Sequence, residues 1–198
     1  MKKIFFLIIT IIALMMVPGC NSKGKLEKFY LDLQNELNYK VKMTLVTYDK
    51  REMHSTIYLD NKIAKAEVKT ILPDGTFSPL ITSYFDQPQG QHVYQITYDE
   101  QSDKWIRRFS GETKMIGTLD PDIFDPENFT KNANNKYTLK PEYTTYFDFV
   151  SLTIEFKSGK VYLIGTTSYE SKPARLSYTI SNIKKVKVTL PEFIEEKK

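Results

Sequence analysis

Three residues carry most of the side-chain chemistry that this sequence offers: one cysteine and two histidines. Cys20 is the only thiol among 198 residues, so no internal disulfide can form. A cysteine thiol can act as a nucleophile or can carry an acyl group. His54 and His92 are the candidates for general acid–base catalysis, but two histidines exclude most zinc sites.

Neither histidine lies in a recognisable catalytic motif. Alternation places His54 in phase with Thr56 and Tyr58 on the outer side of a strand, whereas His92 is in phase with Tyr94 and is predicted to point inward. The sequence contains no Gly-x-Ser-x-Gly, no glycine-rich phosphate loop and no His-Glu-x-x-His. We therefore predict that the protein is not an enzyme and has no catalytic residue and no cofactor. A hydrolase that uses His92 is a remote alternative.

Cys20 follows an apolar run at the start of the chain. Met1-Lys2-Lys3 is cationic, and residues 4–17 are apolar except for Thr10. This order is typical of a secretory signal, and the run is shorter than the about 20 apolar residues that a membrane-spanning helix needs. Residues 1–19 are therefore predicted to be a signal peptide that is removed.

The four residues Val17-Pro18-Gly19-Cys20 resemble the lipobox of bacterial lipoproteins, although Pro18 stands where that family usually carries a small residue. The resemblance implies that the Cys20 thiol receives a diacylglycerol. A lipoprotein modified in this way is anchored to the cell membrane on its extracytoplasmic face. At ~0.8 kcal/mol per buried methylene, one acyl chain such as palmitate holds marginally and two hold stably. An ordinary secretory signal or an uncleaved anchor is the alternative.

The charge of the chain gives no indication of a nucleic-acid partner. Its net charge is +4, which falls to +2 without Lys2 and Lys3. A basic group near the C-terminus is typical of a solvated strand face, with attraction to anionic headgroups as the alternative. This group comprises Lys184, Lys185, Lys187, Lys197 and Lys198. We expect a monomer whose partners are the membrane and an apolar ligand, with no metal.

The mature chain is predicted to hold one domain. Residues 20–25 would be the lipidated cysteine and a tether, 26–191 a single β-rich domain and 192–198 a charged tail. Apolar residues recur at helical spacing at the start of this domain and predict an amphipathic helix of about three turns. They are Leu26, Phe29, Tyr30, Leu33 and Leu37. We expect this stripe to pack on a sheet; contact with the bilayer surface is the alternative.

After Asn38 the apolar period changes from 3.6 to 2, which predicts strands. An aromatic content of 13% also favours strands. Turn signals separate the alternating segments and indicate an antiparallel meander rather than βα units. The segments are 39–45, 57–59, 63–68, 94–98, 105–109, 152–156, 161–163, 176–180 and 186–190.

Residues 119–129 interrupt the strands with two Asp-Pro pairs, Asp120-Pro121 and Asp125-Pro126. Aspartate as an N-cap, followed by proline at the first helical position, predicts one or two short helical turns. The residues expected to face inward are Ile123, Phe124 and Phe129. The acidic residues suggest calcium as an alternative, but the segment lacks the glycine and glutamate of an EF-hand.

The order of one helix, a long aromatic-rich meander and a short helical insertion resembles lipoprotein carriers of the LolA and LppX type, over about residues 25–191. The resemblance implies an α+β fold that is mostly antiparallel β. Its N-terminal amphipathic helix is followed by a curved, partly open, barrel-like sheet that holds acyl chains in an apolar concavity.

The first functional hypothesis is therefore a non-enzymatic lipoprotein that binds a lipid or other apolar ligand. The predicted ligand-binding residues are Tyr94, Ile96, Tyr98, Trp105, Phe147, Phe149 and Phe156. The alternative is a structural or protein-interaction lipoprotein at the cell surface, with a solid core and no ligand. A connected apolar cavity of at least about 300 Å³ would favour the first hypothesis.

Overall fold

The computed structural model describes residues 24–35, 38–88, 92–112, 114–133, 135–145, 147 and 149–196. The predicted signal peptide and the predicted lipidation site, Cys20, lie outside these residues, and so do Leu37, Lys197 and Lys198. No helix within the described ranges is long and apolar enough to cross a bilayer.

The first half of the described chain is one helix followed by six strands. Helix α1 spans Lys25–Asn35. The strands are β1 (Asn38–Val46), β2 (Glu52–Asp60), β3 (Ile63–Ile71), β4 (Ile81–Asp86), β5 (Tyr94–Asp99) and β6 (Lys104–Phe109).

The second half begins with two short 3₁₀ turns, at Pro121–Phe124 and Pro126–Asn128. The remaining elements are β7 (Phe129–Ala133), β8 (Lys136–Leu139), α2 (Pro141–Thr144), β9 (Phe149–Lys157), β10 (Lys160–Tyr169), β11 (Lys172–Ser181) and β12 (Phe193–Glu195).

These strands form one open sheet in the order β12-β6-β5-β4-β3-β2-β1-β11-β10-β9-β8-β7. Strands β1 to β6 make one antiparallel meander, strands β7 to β11 make a second, and β1 pairs with β11 to join them. Only the pairing of β12 with β6 is parallel among the described strands. The prediction of a mostly antiparallel β fold with an N-terminal helix is therefore confirmed.

One face of this sheet, called the inner face below, carries the main core. Strand β1 contributes Tyr39 and Val41, and β2 contributes Ile57 and Leu59, as the alternating pattern predicted. Leu26, Phe29 and Leu33 of α1 are buried in the same cluster, which confirms that the helical stripe packs on the sheet. The opposite side of the sheet is called the outer face.

The two Asp-Pro pairs cap the 3₁₀ turns as predicted. The Asp120 carboxylate accepts a hydrogen bond from the Asp122 N–H at 3.1 Å. The Asp125 carboxylate accepts one from the Glu127 N–H at 2.9 Å. Phe124 and Phe129 are buried in the core, and Ile123 packs against it. Capping thus accounts for both of these aspartates.

The prediction of a strand over 186–190 is wrong. Residues 185–192 form no strand because polar side chains at the ends of β1 and β2 bind their backbone. The Asn38 side-chain amide accepts a hydrogen bond from the Val186 N–H at 2.8 Å and donates one to the Val186 carbonyl at 2.9 Å. The Asp60 carboxylate accepts a hydrogen bond from the Val188 N–H at 3.2 Å. The chain then reaches β6, where residues 193–195 of the predicted tail form β12.

Candidate functional site

Four of the predicted ligand-binding residues lie together, but on the outer face. Phe85 of β4 belongs to the main core, and its register partner is Gln95. Because side chains alternate along a strand, Tyr94, Ile96 and Tyr98 point away from that core. Trp105 pairs with Tyr98 and therefore shares the outer face.

These outer-face residues form a compact aromatic group around Ile96, which is fully buried. Ile96 lies between Tyr84 and Arg107 in the register. The Trp105 ring meets Tyr84 edge-on at a centroid distance of 5.2 Å and Tyr98 at 5.5 Å. The group, called the outer cluster below, consists of Tyr84, Tyr94, Ile96, Tyr98, Trp105 and Arg107.

Arg107 ties the outer cluster to the C-terminal strand. Its guanidinium donates two hydrogen bonds to Asp86, both at 3.0 Å, and one to Glu195 at 2.8 Å. The same group lies 3.8 Å from the centroid of the Tyr94 ring. Since the Arg107 and Asp86 side chains are only 13% and 12% exposed, this ion pair is well shielded from solvent.

The other three predicted residues lie at the far end of the strand order. Phe156 packs in the main core, edge-on to Phe29 at 5.9 Å and to Tyr137 at 5.8 Å. Phe147 also packs against that core, and Phe149 contacts both it and a second buried cluster. The structure therefore does not bring the seven predicted residues into one concavity.

A different group of residues surrounds an apolar cavity of about 400 Å³ on the inner face. Strands β1, β2, β3 and β11 form one wall, and residues 116–119 form the other. The lining residues are Val41, Met43, Met53, Ser55, Ile57, Ala66, Val68, Ile116, Gly117, Thr118, Leu119 and Tyr178. This space is called the inner cavity below.

The inner cavity lies between two hydrophobic clusters. Val41, Ile57 and Ala66 belong to the main core. Met43 and Met53, by contrast, pack against a smaller cluster that contains Leu45 and Leu176. The strand wall of the inner cavity therefore has apolar residues toward both clusters. The lining of the cavity contains no Lys, Arg, His, Asp or Glu.

A buried tyrosine holds the loop that covers the inner cavity. The Tyr39 hydroxyl accepts a hydrogen bond from the Leu119 N–H at 2.9 Å and donates to the Gly117 carbonyl at 3.3 Å. Burial raises the pKa of Tyr39 to about 12, although the bond from Leu119 acts in the opposite direction. The phenol therefore stays neutral and keeps both bonds at physiological pH.

Gly117 allows this loop to approach the sheet closely. Its φ of +78° lies in the region that favours glycine. A Cβ at this position would come within 2.6 Å of Ile57 Cγ2. Both the positive φ of Gly117 and its close approach to Ile57 therefore require glycine. This close approach places the loop directly over the cavity.

Two hydroxyl groups in the lining have no protein partner. Ser55 Oγ and Thr118 Oγ1 are shielded from solvent and form no hydrogen bond within the described residues. Ser55 is 7% exposed and faces the cavity from β2, and Thr118 comes from the covering loop. Leaving a buried hydroxyl unsatisfied costs about 1–3 kcal/mol. Both oxygens are shielded from the open space of the cavity as well as from solvent, so they do not form part of its polar lining.

A smaller cleft of about 320 Å³ lies beside the start of the described chain, between α1 and the β9–β10 turn. Phe29, Phe156 and Val161 line its apolar part. Its remaining lining includes four basic side chains, Lys25, Lys28, Lys157 and Lys160.

Neither histidine lines the inner cavity. His54 lies on the outer side of β2 as predicted, where its ring contacts Glu52 at 2.9 Å and Thr44 at 3.3 Å. The prediction that His92 points inward is wrong, since it is exposed and its ring packs edge-on against Phe109 at 5.3 Å. No group of three or more His, Cys, Asp or Glu side chains suited to a metal is found in the described part of the chain.

Sequence reasoning missed most of the inner cavity, although one signal was present. Met53, Ser55, Ile57 and Leu59 share one side of β2, so Ser55 is a polar residue within an otherwise apolar row. Such a break in alternation marks a buried hydroxyl. The contribution of residues 116–119 had no local signal, because it depends on a contact with Tyr39 about 80 residues away.

Comparisons with known proteins do not assign the chain to a family. No protein-family model and no curated protein matches it. Among solved structures it is similar to a de novo designed fluorescence-activating β-barrel, at 7% identity over 74% of this chain and 94% of that one. The TM-score is 0.23, which is too low to support any conclusion about fold or ligand.

Proposed function

We propose that this protein is a lipid-anchored, extracytoplasmic lipoprotein that binds a lipid or other apolar ligand in the inner cavity and performs no catalysis. The observation that carries the ligand-binding part is the cavity of about 400 Å³ with its mostly apolar lining. Its volume falls within the range of about 300–1,000 Å³ that small-molecule sites occupy. Removal of an acyl chain from water would provide the affinity.

The anchor part of the proposal is supported by the sequence around Cys20, which resembles a lipobox. A tether from Cys20 to Lys25 spans at most about 18 Å when fully extended, so α1 would begin near the bilayer surface. The four lysines beside the start of α1 would then lie where anionic headgroups attract them.

We further propose that the sheet curves into a partly open, barrel-like body, as in carriers of the LolA and LppX type. The support is that strands far apart in the sheet order contribute to one core. Phe85 of β4 and Leu139 of β8 belong to the same buried cluster although six strands separate β4 from β8.

Binding of N-phenylnaphthylamine, a neutral apolar fluorophore, tests the ligand-binding part. Val68→Phe places a larger side chain in the inner cavity and is expected to weaken probe binding at least tenfold. Val150→Phe is the matched control, because Val150 is 67% exposed on β9, and it should bind like the parent protein. If Val68→Phe folds poorly, Met53→Phe fills the same space. Unchanged probe binding in a folded cavity-filling variant would overturn the proposal.

Intact mass measurement of protein extracted from its native membrane tests the anchor. We expect the mass of a chain that begins at Cys20 and carries a diacylglycerol. A Cys20→Ser variant should appear in the soluble extracytoplasmic fraction. An unmodified mass, or a serine variant that stays firmly in the membrane, would contradict the lipid anchor.

A protein-interaction role is a second candidate, and the outer cluster is the observation that favours it. Tyr98 and Trp105 line a surface cleft of about 520 Å³ together with Leu80 and Ile81. Leu80 at this cleft and Phe109, which follows Arg107 on the outer side of β6, are each 60% exposed, which is a large exposure for apolar residues. If this face binds a protein, cross-linking on intact cells should join the parent protein to a partner protein. Phe109→Ser should abolish that cross-linked product, whereas Val68→Phe should leave it unchanged.

A further inference from the structure

The cleft between α1 and the β9–β10 turn is bordered by lysines without an acidic partner. The four that line it are all exposed, and they are Lys25, Lys28, Lys157 and Lys160. The single acidic residue of the lining, Asp32, pairs with Lys184 at 3.3 Å. Within the described residues none of the four lysines forms an ion pair, so no protein charge compensates theirs.

Local structure holds these lysines in two pairs of like charge. Lys25 and Lys28 are three residues apart on α1 and therefore share one side of the helix. Lys157 and Lys160 are register partners across a two-residue turn whose central residues both have positive φ. Like charges in either arrangement repel each other and are destabilising. An anion bound beside this cleft would relieve both repulsions.

The cleft also offers apolar surface among the charges. Phe156 and Ile183 line it and are partly exposed, next to the more deeply buried Phe29 and Val161. A small inorganic anion would gain nothing from this surface, whereas a phospholipid carries apolar groups close to its phosphate. The lining therefore favours an anionic amphiphile over a free anion.

The two ends of the sheet differ in charge. The end with the β9–β10 turn, called the basic end below, comprises the four lysines together with Lys184 and Lys185 of the segment after β11. The turns after β1, β3, β5 and β10 lie at the opposite end. These turns carry Asp49, Asp74, Glu100, Asp103 and Glu170, against Lys50 and Arg51. An anionic surface would therefore attract the basic end and repel the other.

We propose that the basic end docks on the bilayer that carries the anchor, with the phosphate groups of anionic phospholipids bound beside the four cleft lysines. This inference rests on the anchor part of the proposed function, because the tether keeps the start of α1 within about 18 Å of the bilayer. The anchor sets the distance of the domain from the membrane, and the basic end sets its orientation.

Acetylation of lysines by acetic anhydride tests the docking on the full acylated protein in vesicles. The vesicles contain either phosphatidylcholine alone or phosphatidylcholine with one third phosphatidylglycerol, and mass spectrometry reports the acetylation rate of each lysine. We expect the four cleft lysines to react at least threefold more slowly in the anionic vesicles. Lys50 and Lys104, near the opposite end, should react equally in both. The protection should disappear in 1 M salt, where the screening length falls to about 3 Å.

A double variant, Lys157→Gln with Lys160→Gln, removes one of the two pairs of charges. It should abolish the protection of Lys25 and Lys28 by phosphatidylglycerol. Lys50→Gln with Lys104→Gln is the matched control, because it removes two exposed charges from the other end and should leave the protection unchanged. Protection of Lys25 and Lys28 that survives in the first double variant would overturn the proposal.

Flotation of the same samples separates the docking from the lipid anchor. Protein that floats with neutral vesicles but is acetylated equally in both lipids has its anchor and overturns the docking. Protein that does not float with neutral vesicles lacks the anchor, and both proposals then fail. If inorganic phosphate protects the four lysines to the same extent in neutral vesicles, the cleft binds a free anion and the docking on phospholipids is wrong.

Discussion

Strands β1–β3 and strands β5–β6 belong to one meander, yet they place their apolar residues on opposite faces. In β1–β3 the inner face carries Leu59 and Ala64, and the outer face carries Lys40 and Lys65. In β5–β6 the inner face carries polar residues, such as Gln95, and the outer face carries the outer cluster.

The two faces are also covered in different ways. Helix α1, the 3₁₀ turns and the loop at 116–119 cover the inner face, and they leave a cavity. Aromatic rings and the guanidinium of Arg107 cover Ile96 on the outer face, next to the short strand β12. A second small core can therefore form on the outer face of a sheet without a covering helix, where large side chains of the sheet shield an apolar residue from solvent.

The largest expected effect is the loss of packing in either core. Ile96→Ala is expected to lower the free energy of unfolding by about 2–5 kcal/mol, close to the effect of Leu59→Ala, because both residues are fully buried. Urea unfolding measures both values. Ile164→Ala, at a half-exposed residue, should cost under about 1 kcal/mol. If Ile96→Ala proves as mild as Ile164→Ala, the outer cluster is not a core.

Alkaline pH should weaken the inner face through Tyr39. Its pKa is about 12 in the folded protein and 10.0 in an unperturbed tyrosine. Between these values the unfolded chain loses the phenolic proton while the folded chain keeps it, so stability that is complete below pH 10 falls as pH rises. The loss is expected to reach about 2–3 kcal/mol by pH 12.

Urea unfolding of the parent protein and of Tyr39→Phe from pH 9 to 12 measures this loss. The phenylalanine variant should be less stable at pH 9 but should show a shallower decline. Tyr178→Phe is a useful companion, since burial also raises the pKa of Tyr178. Parallel declines in the parent and in Tyr39→Phe would show that Tyr39 is not the titrating group.

The ion pair of the outer cluster is expected to have a smaller effect. Arg107→Gln leaves the Asp86 carboxylate without its guanidinium and should lower the free energy of unfolding by about 1–3 kcal/mol. Arg108→Gln removes a more exposed pair with Glu196 and should cost under about 1 kcal/mol. Equal costs for the two variants would mean that shielding by the outer cluster does not strengthen the Arg107–Asp86 pair.

The smallest expected effect is on fluorescence. Trp105 is the only tryptophan and lies on the outer face, whereas the inner cavity opens on the inner face. Saturation of the inner cavity with a neutral acyl ester such as methyl decanoate should therefore leave the fluorescence emission of Trp105 nearly unchanged. A Trp105→Phe, Leu119→Trp variant should respond, because Leu119 lines the cavity. A strong change in the emission of Trp105 itself would indicate that the ligand binds at the outer cluster and not in the inner cavity.

The local elements were largely predictable. Helical spacing identified α1, alternation identified most strands, and the Asp-Pro pairs identified the 3₁₀ turns, because each signal lies within a few residues. The strand predicted at 186–190 was wrong because its backbone is bound by Asn38 and Asp60, which are more than 120 residues away.

The candidate site was not predictable to the same degree. Alternation in 94–98 correctly grouped Tyr94, Ile96 and Tyr98 on one side of a strand, but it carries no information on which side faces the core. The inner cavity depends on Tyr39 holding Leu119 and on Gly117 meeting Ile57. Neither contact has a counterpart in the local pattern.

The sequence by itself determined the order of one helix and many antiparallel strands, and it supplied the expectation of a lipid anchor at Cys20. Only the tertiary structure decided which face of each strand is buried, where the inner cavity lies and which hydroxyls lack partners. Periodicity is a property of neighbouring residues and is read along the chain, whereas burial depends on which distant segments fold over a given face.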